Sequence, residues 1–337
     1  MEQYLITIDT GTTNTRVALW NPQGDCVDVQ KSGVGVRNTA IDGDNTKLRV
    51  AVKQCIDNLL IYHKLDIADV GAVYACGMIT SNVGLVEIPH LTAPAGMKDF
   101  VAGVQAVMLP DVCALPIHFI PGLKNLDGPV DETNAEAMDI MRGEETEVIA
   151  LLSWLPADKP LLLVLPGSHT KFITVNEQGQ MTGCLTSIAG ELLSSLTEHS
   201  ILADAVGRRY VENDYRKDAM LSGFCIAKKS GFARAAFSTR IMSQFAKSDA
   251  IDCANFLLGA VLAEDLVAVA NSSALTIPAE SDIIVAGKQP LRKAFVDAFV
   301  ADGRYHTVQE FTPPNDVILS GYGARLVACA GEKAAQV

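Results

Sequence analysis

Residues 4–20 read YLITIDTGTTNTRVALW, two apolar runs separated by a loop rich in glycine and hydroxyl residues. Because β-branched residues favour strands and glycine favours tight turns, this pattern predicts a β-hairpin. A turn at residues 21–24 and a third run extend it into a three-stranded meander. Glycine lets a backbone approach a ligand closely, and consecutive N–H groups with hydroxyl side chains can surround phosphate oxygens. The candidate phosphate-binding residues of this first loop are Gly11, Thr12, Thr13 and Asn14.

The same pattern occurs again at residues 161–179, about half a chain later. An apolar run is followed by a loop with glycine and serine, a second run and a glycine-containing turn. One such loop is common in ordinary sheets, but two in register indicate a duplicated fold whose loops could close on one triphosphate. Lys171 could neutralise phosphate there or lie solvated on its strand. The candidate phosphate-binding residues of this second loop are Gly167, Ser168, His169 and Lys171.

The length and charge of the chain limit its architecture and its partners. A chain of 337 residues exceeds what one hydrophobic core usually supports. We predict an α/β fold with domains at residues 1–145 and 146–337 and a cleft between them. The formal charge of −12 argues against nucleic acid or an anionic membrane as the main partner. It does not exclude a nucleotide, because backbone N–H groups and one magnesium ion can hold a triphosphate.

Cysteine and histidine are dispersed along the chain, without a C-x-x-C pair. The eight cysteines therefore predict buried, reduced thiols in the cytoplasm, and the six histidines show no zinc-site spacing. No basic segment precedes an apolar stretch at the N-terminus, so we predict no signal peptide. The most hydrophobic long window, residues 256–270, contains Glu264 and Asp265, so we also predict no membrane span.

The two loops differ at one position that matters for chemistry. Asp9 precedes the glycine of the first loop, whereas the second copy is apolar there. A carboxylate at a strand end beside a phosphate loop suits a magnesium ion. The alternative is a structural one, in which Asp9 caps the hairpin by an Asx-turn.

The segment between the loops carries polar residues that could bind a substrate. Residues 46–64 have apolar side chains at helical spacing, and residues 70–76 predict a buried strand. Ligands commonly bind beyond the carboxyl ends of such strands, although an ordinary polar loop would read the same way. The polar residues after this strand are Thr80, Ser81 and Asn82.

Two helices are predicted just before the second loop. A capping-box pattern at residues 133–136 predicts a helix that continues to Met141. The next helix opens with Glu144 and Glu145, after Gly143. Carboxylates in a first helical turn are favoured by the helix dipole, which is a structural explanation. The dipole also favours the ionised form that a general base needs, so the spacing leaves both roles open.

Two further elements are predicted near the C-terminus. A strand at Asp282–Ala286 is followed by Gly287 and a helix from Pro290. A helix N-terminus after a glycine can seat a nucleoside, although the motif is common. A last helix begins at residues 320–324, SGYGA, whose small residues permit close packing.

Six blocks, in this order along the chain, resemble the 2-dehydro-3-deoxygalactonokinase family of the hexokinase–actin superfamily. The most specific are MRGEET at 141–146 and LPGSHTK at 165–171. Two positions depart from the family: Thr10, where tryptophan is usual, and Glu147, where glutamine is usual. Either could mark a changed substrate preference. The other blocks are IDTGTTNTR at 8–16, GMITSNVG at 77–84, AGEL at 189–192 and VAG at 285–287.

The resemblance implies two ribonuclease H-like domains that transfer phosphate from ATP to the 6-hydroxyl of 2-dehydro-3-deoxy-D-galactonate, in galactonate breakdown. It implies Mg²⁺ positioned by Asp9 and a nucleoside near Gly287. By analogy with the exopolyphosphatase branch, it implies Glu145 as the catalytic base, with Glu144 as second choice. A sugar acid needs a cation or N–H donors for its carboxylate. The candidate residues for this substrate are Ser81, Asn82 and Arg142.

Other functions are compatible with the same motifs. A phosphohydrolase of the exopolyphosphatase type would use water in place of the sugar, and a kinase could act on another sugar acid. A non-catalytic ATP-binding sensor or scaffold is a third alternative, against which Asp9 and Glu145 argue. The sequence does not indicate an oligomeric state.

Overall fold

The computed structural model describes residues 3–155, 158–211, 214–314 and 317–335. Its strands are β1 (Tyr4–Thr10), β2 (Thr15–Trp20), β3 (Cys26–Ser32), β4 (Val70–Gly77), β5 (Leu91–Thr92), β6 (Gln105–Val107), β7 (Ile117–Phe119), β8 (Leu123–Lys124), β9 (Ile140–Met141), β10 (Leu161–Leu165), β11 (Thr170–Val175), β12 (Met181–Ser187), β13 (Asp282–Ala286) and β14 (Val308–Phe311). Its helices are α1 (Val36–Asp42), α2 (Thr46–His63), α3 (Met97–Gly103), α4 (Glu144–Leu152), α5 (Ala189–His199), α6 (Lys217–Ser230), α7 (Phe232–Ile241), α8 (Ala250–Asn271), α9 (Leu291–Asp302) and α10 (Leu319–Ala335).

Two sheets repeat one topology. In the first sheet, β1, β2 and β3 form an antiparallel meander, and β4 pairs with β1 in parallel. In the second sheet, β10, β11 and β12 form the same meander, and β13 pairs with β10 in parallel. The strand orders are β3-β2-β1-β4-β7-β6 and β12-β11-β10-β13-β14. The predicted duplicated α/β fold is therefore confirmed.

Three apolar clusters lie between the sheets and the helices that cover them. The first joins one face of the first sheet, including Ile6, to α2. The second joins the other face, including Leu5, to α4, α10 and the Leu161 face of the second sheet. The third joins the Leu162 face of that sheet to α5, α6, α7, α8 and α9. Neighbouring residues belong to different clusters because successive side chains of a strand point to opposite faces.

The helix predicted over residues 133–141 is wrong. Residues 132–137 form turns, and Ile140–Met141 is strand β9. Asn134 accepts a hydrogen bond from the Asp131 N–H, and the Glu136 carboxylate accepts hydrogen bonds from residues 272 and 273. Contacts with the second half of the chain thus hold this segment in turns, against its local capping pattern.

The last helix, α10, returns to the first sheet. It contacts β1 and β4 as well as α3 and α4. A Cβ added to Gly323 would lie 1.7 Å from the Thr146 carbonyl oxygen, which confirms the close packing predicted from its small residues. Because this C-terminal helix packs on the first sheet, the helices do not divide between the two sheets strictly by halves of the sequence.

Helix α8 is long and apolar enough to cross a membrane by length and composition alone. However, 78% of its apolar 18-residue window is buried inside the protein. Its buried acid, Asp265, accepts a hydrogen bond from the Ser187 hydroxyl at 2.5 Å. This burial identifies α8 as a core helix of the third apolar cluster.

Candidate functional site

The first loop is held against the N-terminus of α1. Its turn is closed by a 2.9 Å hydrogen bond from the Gly11 N–H to the Asn14 carbonyl. A Cβ added to Gly35 would lie 2.5 Å from the Thr12 carbonyl oxygen, so only glycine lets the helix approach this closely. The side chains of Thr12, Thr13 and Asn14 remain exposed and available to a ligand.

The second loop is also held against the N-terminus of a helix by a close contact at a glycine. A Cβ added to Gly190, in the first turn of α5, would lie 2.3 Å from the Gly167 carbonyl oxygen. The Glu191 N–H donates to the Ser168 carbonyl at 3.2 Å, and the His169 ring contacts the Glu191 carboxylate at 2.9 Å. Each loop is therefore locked to a helix N-terminus by a glycine. Sequence reasoning missed Gly35 and this role of Gly190, although each follows the third strand of its meander.

Gly287 lies next to the second loop. Its φ of +124° favours glycine, and a Cβ there would be 3.2 Å from the Pro166 side chain. The end of β13 and the loop after β10 are therefore adjacent. A small apolar pocket, lined by Gly167, Gly190, Leu291 and other residues of α5, α8 and α9, lies at this point.

Asp9 lies at the end of β1 with 14% of its side chain exposed. Its Oδ2 accepts hydrogen bonds from the Ser320 hydroxyl at 2.8 Å and from Arg16 at 3.2 Å. These bonds join it to α10 and β2, whereas an Asx-turn would join it to its own loop. Burial raises its pKa, and the bonds to Ser320 and Arg16 oppose that rise. A Cβ at Gly77 would lie 3.0 Å from Asp9 Oδ1, so β4 ends against this carboxylate.

Glu145 is fully buried at the N-terminus of α4. Both of its carboxyl oxygens accept the Gly143 N–H, at 2.9 and 2.8 Å. Burial and the neighbouring Glu144 raise its pKa to about 8. Desolvation outweighs the backbone hydrogen bond from Gly143 and the charge of Arg142, which both oppose this rise in pKa.

Glu144 is more accessible, with 27% of its side chain exposed. Its Oε1 lies 3.9 Å from the Lys171 ammonium, and its Oε2 is buried without a hydrogen-bond partner in the described chain. Lys171 itself is buried and donates to the Ile140 carbonyl at 3.0 Å and to Thr186 Oγ1 at 2.7 Å. It does not lie solvated on its strand, and it links the second sheet to the segment before α4.

Glu147 joins these acids one turn later on α4. Burial, Glu144 and Asp9 together raise its pKa to about 8. Electrostatic interactions therefore link the two sheets through α4. Asp9 of the first sheet acts on Glu147, and Lys171 of the second sheet acts on Glu144. Thr10, the other position that departs from the resembled family, is fully buried, and its Oγ1 lies 3.2 Å from Thr15 Oγ1.

The three predicted substrate residues differ in exposure. Ser81 is buried and donates to the Met78 carbonyl at 2.7 Å, whereas Asn82 is exposed. Arg142 is half-buried and donates to Thr80 Oγ1 at 2.7 Å. Arg142 directly precedes the Gly143 and Glu145 pair, so it lies at the same end of α4 as the acids.

No group of three or more histidine, cysteine, aspartate or glutamate side chains able to hold a metal ion occurs among the described residues. Asp9 still fits a magnesium ion. Its Oδ2 accepts both hydrogen bonds, so its Oδ1 is available as a metal ligand. Mg²⁺ commonly takes one or two carboxylates and completes its shell with water and substrate phosphates.

A family model and solved structures match this chain over most of its length. The family model for 2-keto-3-deoxy-galactonokinase matches residues 9–319. A candidate 2-dehydro-3-deoxygalactonokinase from Sinorhizobium meliloti has a TM-score of 0.74 at 22% identity, over 98% of this chain and 99% of that chain. The activator of the 2-hydroxyisocaproyl-CoA dehydratase from Clostridium difficile with bound ADPNP has a TM-score of 0.49 at 12% identity, over 99% and 98%. No curated protein matches. The likeness to the Sinorhizobium structure shows a common fold over nearly the whole chain.

Proposed function

Since this chain belongs to the 2-keto-3-deoxy-galactonokinase family and is a carbohydrate kinase, we propose that it phosphorylates the 6-hydroxyl of 2-dehydro-3-deoxy-D-galactonate with Mg·ATP. The family match confirms the resemblance predicted from the sequence blocks. The observation that carries the proposal is the pair of loops, each locked by glycine to a helix N-terminus. The Val36 and Arg37 N–H groups of α1 already donate to the Gly11 and Thr12 carbonyls, so the positive end of the helix dipole is what favours phosphate at this position.

The two loops divide the nucleotide between them in this proposal. Thr12 and Thr13 contribute exposed hydroxyls, and Gly167 and Ser168 contribute the corresponding backbone of the second loop. The nucleoside occupies the side of the second loop where Gly287 meets Pro166. Domain closure over the phosphates would exclude water and limit wasteful hydrolysis of ATP.

Asp9 holds the magnesium ion in this proposal, directly or through water. When bound, Mg²⁺ neutralises negative charge on the phosphate oxygens. Ser320 and Arg16 fix the orientation of the Asp9 carboxyl group by bonding one oxygen and leaving the other. Positioning of this kind dominates phosphoryl transfer.

The N-terminus of α4 supplies the proposed general base. The resemblance assigns this role to Glu145, and a pKa of about 8 suits a group that takes a proton near neutral pH. Glu144 is the alternative, since its side chain is partly exposed and Glu145 is sealed. Glu145 can act only if substrate binding opens its surroundings, whereas Glu144 needs no such change.

The sugar acid lies beside Arg142 in this proposal. The guanidinium group pairs with the carboxylate, and exposed Asn82 can bond a hydroxyl group. Ser81 contributes less directly, because its hydroxyl hydrogen is already donated to Met78.

An acceptor screen tests the proposal. ADP formation from ATP is measured by a coupled assay over a panel of sugar acids, neutral sugars and water alone. We expect ADP formation that depends on 2-dehydro-3-deoxy-D-galactonate and on Mg²⁺. Phosphate release without any acceptor, or from polyphosphate, would instead identify a phosphohydrolase. Selectivity for another sugar acid would keep the kinase and replace the substrate.

A further inference from the structure

Arg142 is a half-buried cation without a carboxylate partner in the described chain. Its hydrogen bonds go to Thr80 Oγ1, to the Ile88 carbonyl at 2.8 Å and to the His90 ring at 3.3 Å. The charges of Glu145 and Glu87 act on it, but neither carboxyl group forms an ion pair with it in the described chain, and the pKa of Glu145, about 8, keeps that group largely protonated near pH 7. The positive charge of Arg142 is therefore left for an external anion.

The bond from Arg142 fixes the tautomer of His90. A guanidinium group can only donate hydrogen bonds, so Nδ1 of His90 must be the acceptor. Burial, Arg142 and Lys124 lower the pKa of His90 to about 4, so the ring is neutral near pH 7. A neutral ring that accepts at Nδ1 carries its hydrogen on Nε2. His90 is thus an N–H donor of known orientation.

The Nε2 atom of His90 is buried and has no hydrogen-bond partner in the described chain. A buried donor without an acceptor is destabilising, and native structures retain few of them. The ring is also held in place, since a Cβ added to Gly122 would lie 2.8 Å from His90 Cδ2 and 2.7 Å from Arg142 Cγ. The donor is therefore fixed in orientation, and an acceptor oxygen reaches it when substrate binding opens the surroundings of Nε2.

We propose that His90 is a specificity-determining residue, whose Nε2–H donates to the carboxylate or adjacent 2-oxo oxygen of the substrate while Arg142 supplies the charge. Lys124 adds a second positive charge nearby, although its ammonium already bonds Asp127 at 2.9 Å. The chemical class recognised is a 2-oxo acid, because it presents three acceptor oxygens and one negative charge together. This inference rests on the proposed function and extends its substrate site.

The test compares three variants of the whole protein by calorimetry and by steady-state kinetics. His90→Phe keeps the ring shape but removes both nitrogens, and His90→Gln keeps an N–H donor near the position of Nε2. His118→Phe is the matched control, because His118 is also half-buried and stacks on Tyr74 at 4.8 Å. The probe is 2-dehydro-3-deoxy-D-galactonate, titrated without nucleotide, and KM is measured separately for the acid and for ATP.

We expect His90→Phe to weaken binding of the acid about 10- to 100-fold, the effect of losing a hydrogen bond to a charged group. The KM for ATP should stay unchanged, His90→Gln should recover most of the affinity, and His118→Phe should bind as the wild type does. A role in folding alone would instead lower thermal stability without a selective change in acid affinity.

The outcomes separate this inference from the proposed function. If the wild type phosphorylates the acid and His90→Phe binds it normally, the role of His90 is refuted and the kinase stands. If the wild type binds the acid through His90 but does not phosphorylate it, the acid site stands and the proposed reaction is refuted. If the wild type neither binds nor phosphorylates it, both are refuted.

Discussion

Replacing Glu145 by glutamine separates a catalytic role from a structural one. The carboxyl group is fully buried, and its pKa is raised from 4.5 to about 8. Between these values the folded protein holds a proton that the unfolded chain has lost, so stability falls as the pH rises through this window. Relative to its value below pH 4.5, the free energy of unfolding is lower by ~3 kcal/mol near pH 7 and by ~5 kcal/mol above pH 8.

The variant should therefore fold at least as well as the wild type. The glutamine oxygen can still accept the Gly143 N–H, and the side chain never ionises. A buried amide hydrogen without an acceptor would offset ~1–3 kcal/mol of the gain, leaving the variant within ~2 kcal/mol of wild type near pH 7. Urea unfolding at pH 7 and 8.5 measures this, and the advantage of the variant should widen at the higher pH.

The same substitution should lower turnover, although it leaves the stability of the protein at least as high. If Glu145 is the base, Glu145→Gln lowers turnover about 10²- to 10⁴-fold with the KM for ATP unchanged. The wild-type turnover should also rise with pH and level off above about 8, because only the ionised carboxylate accepts a proton. The coupled ADP assay between pH 6 and 9 records both effects.

The paired variant Glu144→Gln and the exposed control Glu177→Gln decide the outcome. Near-normal turnover in Glu145→Gln with a loss of 100-fold or more in Glu144→Gln would refute the role of Glu145. A wild-type rate that is flat from pH 6 to 9 would contradict it independently. Glu177→Gln should behave as the wild type in both assays.

Three further predictions follow from the site and the core. Gly190→Ala should raise the KM for ATP at least ~10-fold, because its methyl group would lie 2.3 Å from the Gly167 carbonyl oxygen. Gly33→Ala is the control, because no atom lies within 4 Å of the added methyl group. Equal KM values for the two variants would contradict the role of Gly190 in holding the second loop. Asp9→Asn should weaken Mn²⁺ binding at least ~10-fold in the presence of ADP, as measured by electron paramagnetic resonance, and unchanged affinity would remove Asp9 from the metal site. Burial raises the pKa of Asp265 to about 7, so its contribution to stability is lost as the pH rises through 7. Relative to Asp265→Asn, the wild type should lose ~1–2 kcal/mol in urea unfolding between pH 6 and 8.5, and parallel curves would show that Asp265 does not titrate there.

Much of the fold was predictable from local pattern. Apolar runs of β-branched residues, glycine-containing turns and a helical apolar spacing at residues 46–64 each depend on neighbours within a few positions. The structure has both meanders and places this helix at Thr46–His63. The helix predicted over residues 133–141 failed because Glu136 bonds residues 272 and 273, far along the chain.

The sequence by itself determined the duplicated meander, the two glycine loops and the residue types around them, because strand period and turn chemistry are local properties. Only the tertiary structure decided which of those residues are buried, charged or already bonded. The burial of Glu145, the bonds of buried Lys171 and a His90 Nε2 that has no partner among the described residues all depend on tertiary packing. Desolvation and hydrogen bonding depend on what lies within a few ångströms in space, and one-dimensional spacing does not contain that information.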